Sequence, residues 1–246
     1  MKFIIFSDVH SNLEAIQAFS RVIESVHHDK KVCLGDIVGY NADPNPVVKW
    51  IRKEIDLILA GNHDYCVLNQ MNASYLNPAA YQACIWTRSA LTKDNKEFLG
   101  TLPVEKEEDG IYWVHSSPFE PTEWHYVSTE LSAEKNFDYF EQTFCFLGHS
   151  HLPGIFEKNK NNKICSFSVP NRSSKLKLDP ESRYIINVGS LGQPRDGNSD
   201  PTFVFYDSMS HVIEFHRFSY DLSLTQEKIR ACGLPYYLAD RLSSGR

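Results

Sequence analysis

The chain has 246 residues, 42% hydrophobic and 23% charged, enough to bury one sizeable core as an ordinary globular protein. A formal net charge of -6 supplies no basic face for binding along a nucleic-acid backbone, but it does not exclude a phosphate-bearing substrate neutralised by bound cations. The apolar start at residues 3–6 is shorter than the ~7 residues of a signal-peptide core and no run approaches the ~18 apolar residues of a membrane span, so the cytoplasm follows by default.

Residues 3–6 form a continuous apolar run that reads as a buried strand. Ser11-Asn12-Leu13-Glu14 has the spacing of a capping box and predicts a helix starting there. Leu13, Ile16, Phe19, Ile23 and Val26 recur at three- and four-residue intervals and give that helix one apolar face. Residues 31–34 repeat the strand pattern and end at Gly35-Asp36, before a turn at Asp43-Pro44-Asn45-Pro46 and a helix over roughly 47–53. A third strand at 57–60 ends at Gly61-Asn62-His63-Asp64, and residues 65–100 read as helical. Residues 111–114 are a strand ending at His115. Residues 119–143 are mixed, with Trp124, His125 and Tyr126 set to line a pocket or to pack.

Residues 144–147 are strand-like and end at Gly148-His149-Ser150-His151. Short runs at 155–156, 164–169, 184–188, 203–206 and 212–218 predict a second, mostly antiparallel set of strands, with a hairpin turn at 158–163. A helical tail at about 222–246, broken by Gly233-Leu234-Pro235, closes a single domain spanning 1–246. None of the six cysteines form a CxxC pair, and several sit in apolar runs, so all are read as reduced, mostly buried thiols.

Asp8, His10, Asp36, Asn62, His63, His115, His149 and His151 all lie just beyond strand-like runs, the edge at which open α/β sheets bind ligands. Imidazole and carboxylate together suit Mn, Fe and Zn. A carboxylate such as Asp36 can bridge two cations. Two cations ~3.5–4 Å apart can clamp a phosphoryl group and activate a water, with an imidazolium donating a proton to the leaving oxygen. Asp-x-His alone is weak and Gly-Asp, a common turn, is weaker, while Gly-Asn-His-Asp and Gly-His-Ser-His after strands are moderately specific. Five such motifs in order, each at a strand end, point to one site. His27, His28, His125, His211 and His216 lack that setting.

Asp8-Val9-His10, Gly35-Asp36, Gly61-Asn62-His63-Asp64, His115 and Gly148-His149-Ser150-His151 resemble the motif series of the calcineurin-like metallophosphoesterase superfamily. Asn187-Val188-Gly189-Ser190 and Leu191-Gly192-Gln193-Pro194-Arg195 resemble its small bacterial and archaeal phosphodiesterase branch, and the likeness runs from residue 1 to about 207. The resemblance implies a four-layer α/β/β/α sandwich and a hydrolase acting on a small phosphoester, first of all a phosphodiester. It implies one metal on Asp8, His10, Asp36 and His151, and a second on Asp36, Asn62, His115 and His149. His63 would be the general acid. Mn, Fe, Zn or Ni would serve, with Mn favoured.

Gly39 and Tyr40 stand where the superfamily's protein phosphatases resemble Asp and Arg, which argues against a protein substrate and leaves Asp64 or Asp43 to orient His63. Arg195 is either a contact to substrate phosphate or a surface partner of Asp196, and Asn41 is a further candidate to reach the site. The alternative function is a non-catalytic interaction scaffold on the same fold. The filled ligand set and His63 argue against that, and the acidic balance argues against a nuclease.

Overall fold

The protein is described by a computed structural model covering residues 1–73, 76–169 and 173–246. Two six-stranded sheets face each other. In the first, β1 (Lys2–Phe6), β2 (Lys30–Cys33) and β3 (Leu57–Ile58) run parallel. The far side of β1 pairs antiparallel with β11 (Thr202–Asp207), then come β12 (Val212–Arg217) and β9 (Ser174–Lys177). The second sheet runs β4 (Glu105–Glu108), β5 (Ile111–Val114), β6 (Phe144–Leu147), β10 (Arg183–Asn187), β7 (Gly154–Lys158) and β8 (Ile164–Ser168). Within it, β5, β6 and β10 are parallel.

The strands of the second half therefore do not make a sheet of their own. They divide between both sheets, with β9, β11 and β12 joining the first and β7, β8 and β10 the second. The strands absent from the sequence reading, β4 and β9, are both at sheet edges. They read EKEE and SKLK, charged patterns that hide a strand and also protect an edge from pairing with another chain.

Between the sheets lies a dry layer that includes Phe3, Ile5, Trp113, Phe146, Ile186 and Tyr206. Phe146 stacks on Trp113 at 5.3 Å and meets Tyr206 at 5.4 Å. The outer face of the first sheet is covered by α1 (Leu13–Ile23) and α2 (Pro44–Glu54), and α6 (Glu130–Asn136) covers the second. This is the α/β/β/α layering expected. Helices α3 (Asn62–Val67), α4 (Pro78–Ala90) and α5 (Lys93–Leu99) follow β3, and α7 (Leu222–Ala231) with α8 (Tyr236–Asp240) packs against α4 and Tyr40. Among the described residues no helix is long and apolar enough to cross a membrane.

Two local expectations change. The cap of α1 is Asn12, whose side chain accepts from Ala15 N at 3.0 Å, while Ser11 lies outside the helix with φ at +57°. Glu14 does not reach back to close a box; it turns to Thr225 and Lys228 and ties α7 to α1. The cysteines are also not all reduced, because Cys66 and Cys84 are disulfide-bonded with Cα atoms 6.4 Å apart. Packing of α3 on α4 brings together two thiols that are 18 residues apart in sequence, which no local spacing signals. Cys33 and Cys145 are free and buried, and Cys165 and Cys232 are free and half-buried.

Phe146 is fully enclosed between the two sheets. Phe146→Ala should cost about 3–5 kcal/mol of stability, since the rigid sheets cannot collapse into the cavity. Urea unfolding measures this; a loss below about 1 kcal/mol would mean the intersheet layer is not close-packed.

Candidate metal centre

The parallel strands of both sheets end at one edge, and the loops there are laced together. His149 N donates to Asp8 Oδ2 at 3.0 Å and Ser190 Oγ to the Asp8 carbonyl at 2.9 Å. Asn187 Nδ2 donates to the Gly148 carbonyl at 2.6 Å. Asp64 accepts from Gly61 N, Ile37 N and Val38 N, so it stitches the Asp36 loop to the start of α3. A Cβ on Gly61 would sit 2.1 Å from Asp36 Oδ1, and one on Gly192 would sit 1.8 Å from the Val9 carbonyl oxygen, so neither position admits a side chain without movement. Asp8, His10, Asp36, His149 and His151 all have φ between +48° and +65°, a costly conformation that clusters here because the loops must turn their side chains inward.

The inward side chains form two groups that share one residue. Asp8, His10, Asp36 and His151 offer donor atoms within 4.8 Å of one another, as do Asp36, His115 and His149. His151 Nε2 lies 3.1 Å from Asp8 Oδ1. His10 Nε2 and His115 Nε2 lie 3.6 Å and 3.5 Å from Asp36 Oδ2.

Each of these four histidines has its other ring nitrogen against a backbone carbonyl. Nδ1 of His10 meets Val38 O at 3.1 Å, Nδ1 of His115 meets Leu34 O at 2.9 Å, and Nδ1 of His151 meets Gln193 O at 2.5 Å. In His149 the roles reverse, with Nε2 on Trp124 O at 2.8 Å. A carbonyl can only accept, so these contacts fix the tautomer and leave the inward nitrogen as a lone pair in the neutral ring. His10 Nε2 and His151 Nε2 then face each other at 3.2 Å as two acceptors, an arrangement that suits a cation between them and not a hydrogen bond. Asn62 Oδ1 is likewise buried without a hydrogen-bond partner among the described residues. The chemistry of the donor set fits divalent metal.

The calcineurin-like phosphoesterase superfamily domain matches residues 1–210. The chain belongs to this superfamily. It is 36% identical to the uncharacterized protein MJ0912 of Methanocaldococcus jannaschii, over 98% of this chain and 97% of that one. Its fold superposes on a metallophosphoesterase from Sphaerobacter thermophilus with a TM-score of 0.88 at 33% identity, covering 100% of this chain and 99% of the other. The hypothetical protein PH1004 of Pyrococcus horikoshii OT3 shares the fold at a TM-score of 0.79, with 17% identity and coverage of 100% and 98%.

The cluster opens into a cavity of about 250 Å³ lined by Asp36, Asn62, His63, His149, His151 and Arg195. His63 N donates to Asp36 Oδ1 at 2.8 Å, but its Nδ1 is buried without a hydrogen bond. Neither carboxylate considered for orienting it does so. Asp64 is used by the three amides, and Asp43 pairs with Lys228 at 2.7 Å. Instead the imidazole is held sterically. Tyr40 packs on it at 4.4 Å and on His10 at 4.6 Å, and a Cβ at Gly39 would meet His63 Nδ1 at 2.7 Å.

Arg195 is not the partner of Asp196, which pairs with Arg217. It lines the cavity and donates to Tyr40 Oη at 3.2 Å and Gln193 Oε1 at 3.1 Å. Asn41 turns back to the His10 carbonyl at 2.7 Å and holds that loop. Of the histidines set aside, His125 pairs with Glu120, while His211 and His216 stack on Phe144 and Phe203. The carbonyls of Leu34, Val38, Trp124 and Gln193 carry no side-chain signature, so the sequence could not announce them.

Burial opposes charge at this edge, and pairing decides which groups escape it. Burial would raise the Asp8 carboxyl, but His151 and then His115 outweigh it, and Asp36 is held low by His115 and His63 in the same way. Burial pushes His149 down to about 3, with His115 adding to the shift, and His63 down to about 4 against the pull of Asp36. His115 goes the other way: Asp36 overcomes burial and raises it to about 9. Asp64 is raised to about 7 by burial and by Asp36, against its three amide donors.

The signs give a prediction for the metal-free protein. His149 and His63 have folded values below the ordinary 6.5, so their contribution is present above pH 6.5 and lost as the pH falls toward about 4 and 3. His115 contributes below 6.5, and that is lost as the pH rises through about 9. Melting in the presence of a chelator should therefore show a maximum between these limbs. A melting temperature flat from about pH 4 to about pH 10 would contradict the burial of these imidazoles.

Proposed function

We propose that this chain is a dinuclear-metal phosphoesterase that hydrolyses a small phosphate ester, in the first place a phosphodiester. The observation that carries the reading is the set of four buried histidines, each tied to a backbone carbonyl through one nitrogen and presenting the other toward Asp8 or Asp36. Asp8, His10, Asp36 and His151 would hold one cation. Asp36, Asn62, His115 and His149 would hold the second, so that Asp36 serves both. When bound, the two cations supply positive charge for the phosphoryl oxygens and lower the pKa of an attacking water. Mn is the first metal to supply, because the donor set of imidazole, carboxylate and amide oxygen accepts it.

The protein's own groups do the rest. Arg195 reaches the cavity with no acidic partner among the described residues, and its guanidinium suits a phosphate oxygen. His63 lines the same cavity and is the proton donor to the leaving oxygen. Burial lowers its basicity, which makes the protonated ring a strong acid once it forms beside a phosphate anion. Tyr40, packed on both His10 and His63, fills the place of a charged residue and keeps water from that side of the acid. A cavity of about 250 Å³ suits a small ester.

Metal-loaded protein should hydrolyse an aryl phosphodiester and lose that activity on chelation. His63→Ala should lower kcat by about 10²–10⁴ while metal content stays at the wild-type level. Asp36→Asn should lose metal and activity together. Full activity in both variants, with metal retained, refutes the mechanism, and absence of hydrolysis under any metal favours the interaction scaffold.

Proton release adds a second test. Asp36 raises His115 to about 9 in the metal-free protein and a ligating imidazole must be neutral, so loading should release a proton and metal affinity should rise with pH up to about 9. Calorimetry in buffers of different ionisation enthalpy measures this, and a pH-independent affinity between 6 and 9 would exclude a protonated, Asp36-paired His115 in the metal-free protein.

A further inference from the structure

The cavity over the metal-side residues continues into a larger one of about 630 Å³, and the two share Asn62, Leu76, Tyr126 and His149. The larger arm is walled by Met71, Leu76, Trp124 and Tyr126, with Gln70, Asn72, Thr122 and Glu123 as polar groups. No Lys or Arg lines it among the described residues. It thus has no counter-charge for a second phosphate, and its thioether and aromatic walls favour a flat, polarisable group over a hydrated one.

The aromatic walls are fixed to the site. Tyr126 stacks on His149 with ring centroids 4.3 Å apart and an interplanar angle of 18°, yet it remains 54% exposed. One face of the ring is therefore covered by the imidazole and much of the rest is open. Trp124 is wedged edge-on against Tyr65 at 5.2 Å, has φ at +58°, and gives its carbonyl to His149 Nε2. A group bound along this arm lies next to Asn62 and His149, and hence beside a phosphoryl group over the centre.

We propose that this cleft is a subsite for a flat, uncharged aromatic ring on the organic part of the phosphoester, stacked against Tyr126 and Trp124. The proposal rests on the phosphoesterase reading and adds the class of ester to it. A nucleobase and a simple aryl group share the required chemistry. A branched alkyl chain or an unsubstituted sugar does not.

The test is calorimetric binding to the full-length, Mn-loaded protein, which needs no turnover. Adenosine 5′-monophosphate, benzyl phosphate, cyclohexylmethyl phosphate and ribose 5-phosphate carry the same terminal anion on different organic groups. At least one of the two aromatic ligands should bind about tenfold or more tighter than the two without an aromatic ring, as expected for one stacked ring. That advantage, taken as a ratio to inorganic phosphate in the same protein, should fall to within about twofold in Trp124→Leu. Met71→Ser, which leaves the backbone at His149 untouched, should also reduce it.

Adenosine 5′-monophosphate binding alone tightly assigns the ring to a base with a hydrogen-bonding edge, and tight benzyl phosphate assigns it to a plain aryl group. Equal affinity for all four ligands in the wild type, or an advantage that survives both substitutions, overturns the subsite. If inorganic phosphate itself fails to bind, the phosphoesterase reading and the subsite fall together. An aromatic advantage in a protein that hydrolyses no ester keeps the subsite and removes only the reaction.

Discussion

The Asp36 carboxylate is fully buried and yet charged, and most of the site is arranged to make that tolerable. It accepts from the His63 amide, faces the inward nitrogens of His10 and His115, and belongs to both groups of donor atoms. A buried carboxylate is costly unless it is paired and hydrogen-bonded. Here the partner is His115, raised to about 9 by that carboxylate and pinned by the Leu34 carbonyl, so the charge cannot relax by a change of rotamer. The glycine at position 61 follows from the same constraint, because a side chain there would occupy the place of Asp36 Oδ1.

That arrangement explains why two sheets are needed. The loop after β1 supplies Asp8 and His10, and the loop after β2 supplies Asp36. The opposite sheet supplies His115 after β5 and His149 and His151 after β6. The dry layer around Phe3, Trp113, Phe146 and Tyr206 holds the two sheets in register, and the bond from His149 N to Asp8 Oδ2 closes them at the rim. Strain in the five inward-turning residues is sustained by this rigid support rather than by local propensity.

Tyr40 has a structural role that extends to the C-terminal helices. Tyr40 packs on His10 and His63 within the site and belongs to the cluster that includes Ala80, Ile229 and Leu238. Arg195 and Arg241 both lie over its ring, with guanidinium carbons 5.6 Å and 6.0 Å from the centroid. One side chain thus joins His63, the cavity-lining guanidinium and the helical tail, and the Lys228 bridge to Glu14 and Asp43 anchors that tail to the first unit of the fold.

Much of the fold and site was legible in the sequence because both depend on short-range patterns. Apolar runs ending in Asp, Asn or His mark strand tips whatever the rest of the chain does, and the eight polar residues at those tips do converge. The edge strands β4 and β9 were not legible, since exposure at an edge removes the apolar signal. The cap falls on Asn12 and not on Ser11 as the spacing suggested, because a spacing cannot tell which of two neighbouring residues leaves the helix. The sequence by itself determined which side chains would meet and what chemistry they allow. Only the tertiary structure decided how each imidazole is oriented, that Cys66 meets Cys84, that Asp196 belongs to Arg217 and frees Arg195 for the cavity, and that an aromatic cleft adjoins the centre. Those outcomes depend on backbone carbonyls and on contacts between distant residues, and neither leaves a local pattern in the chain.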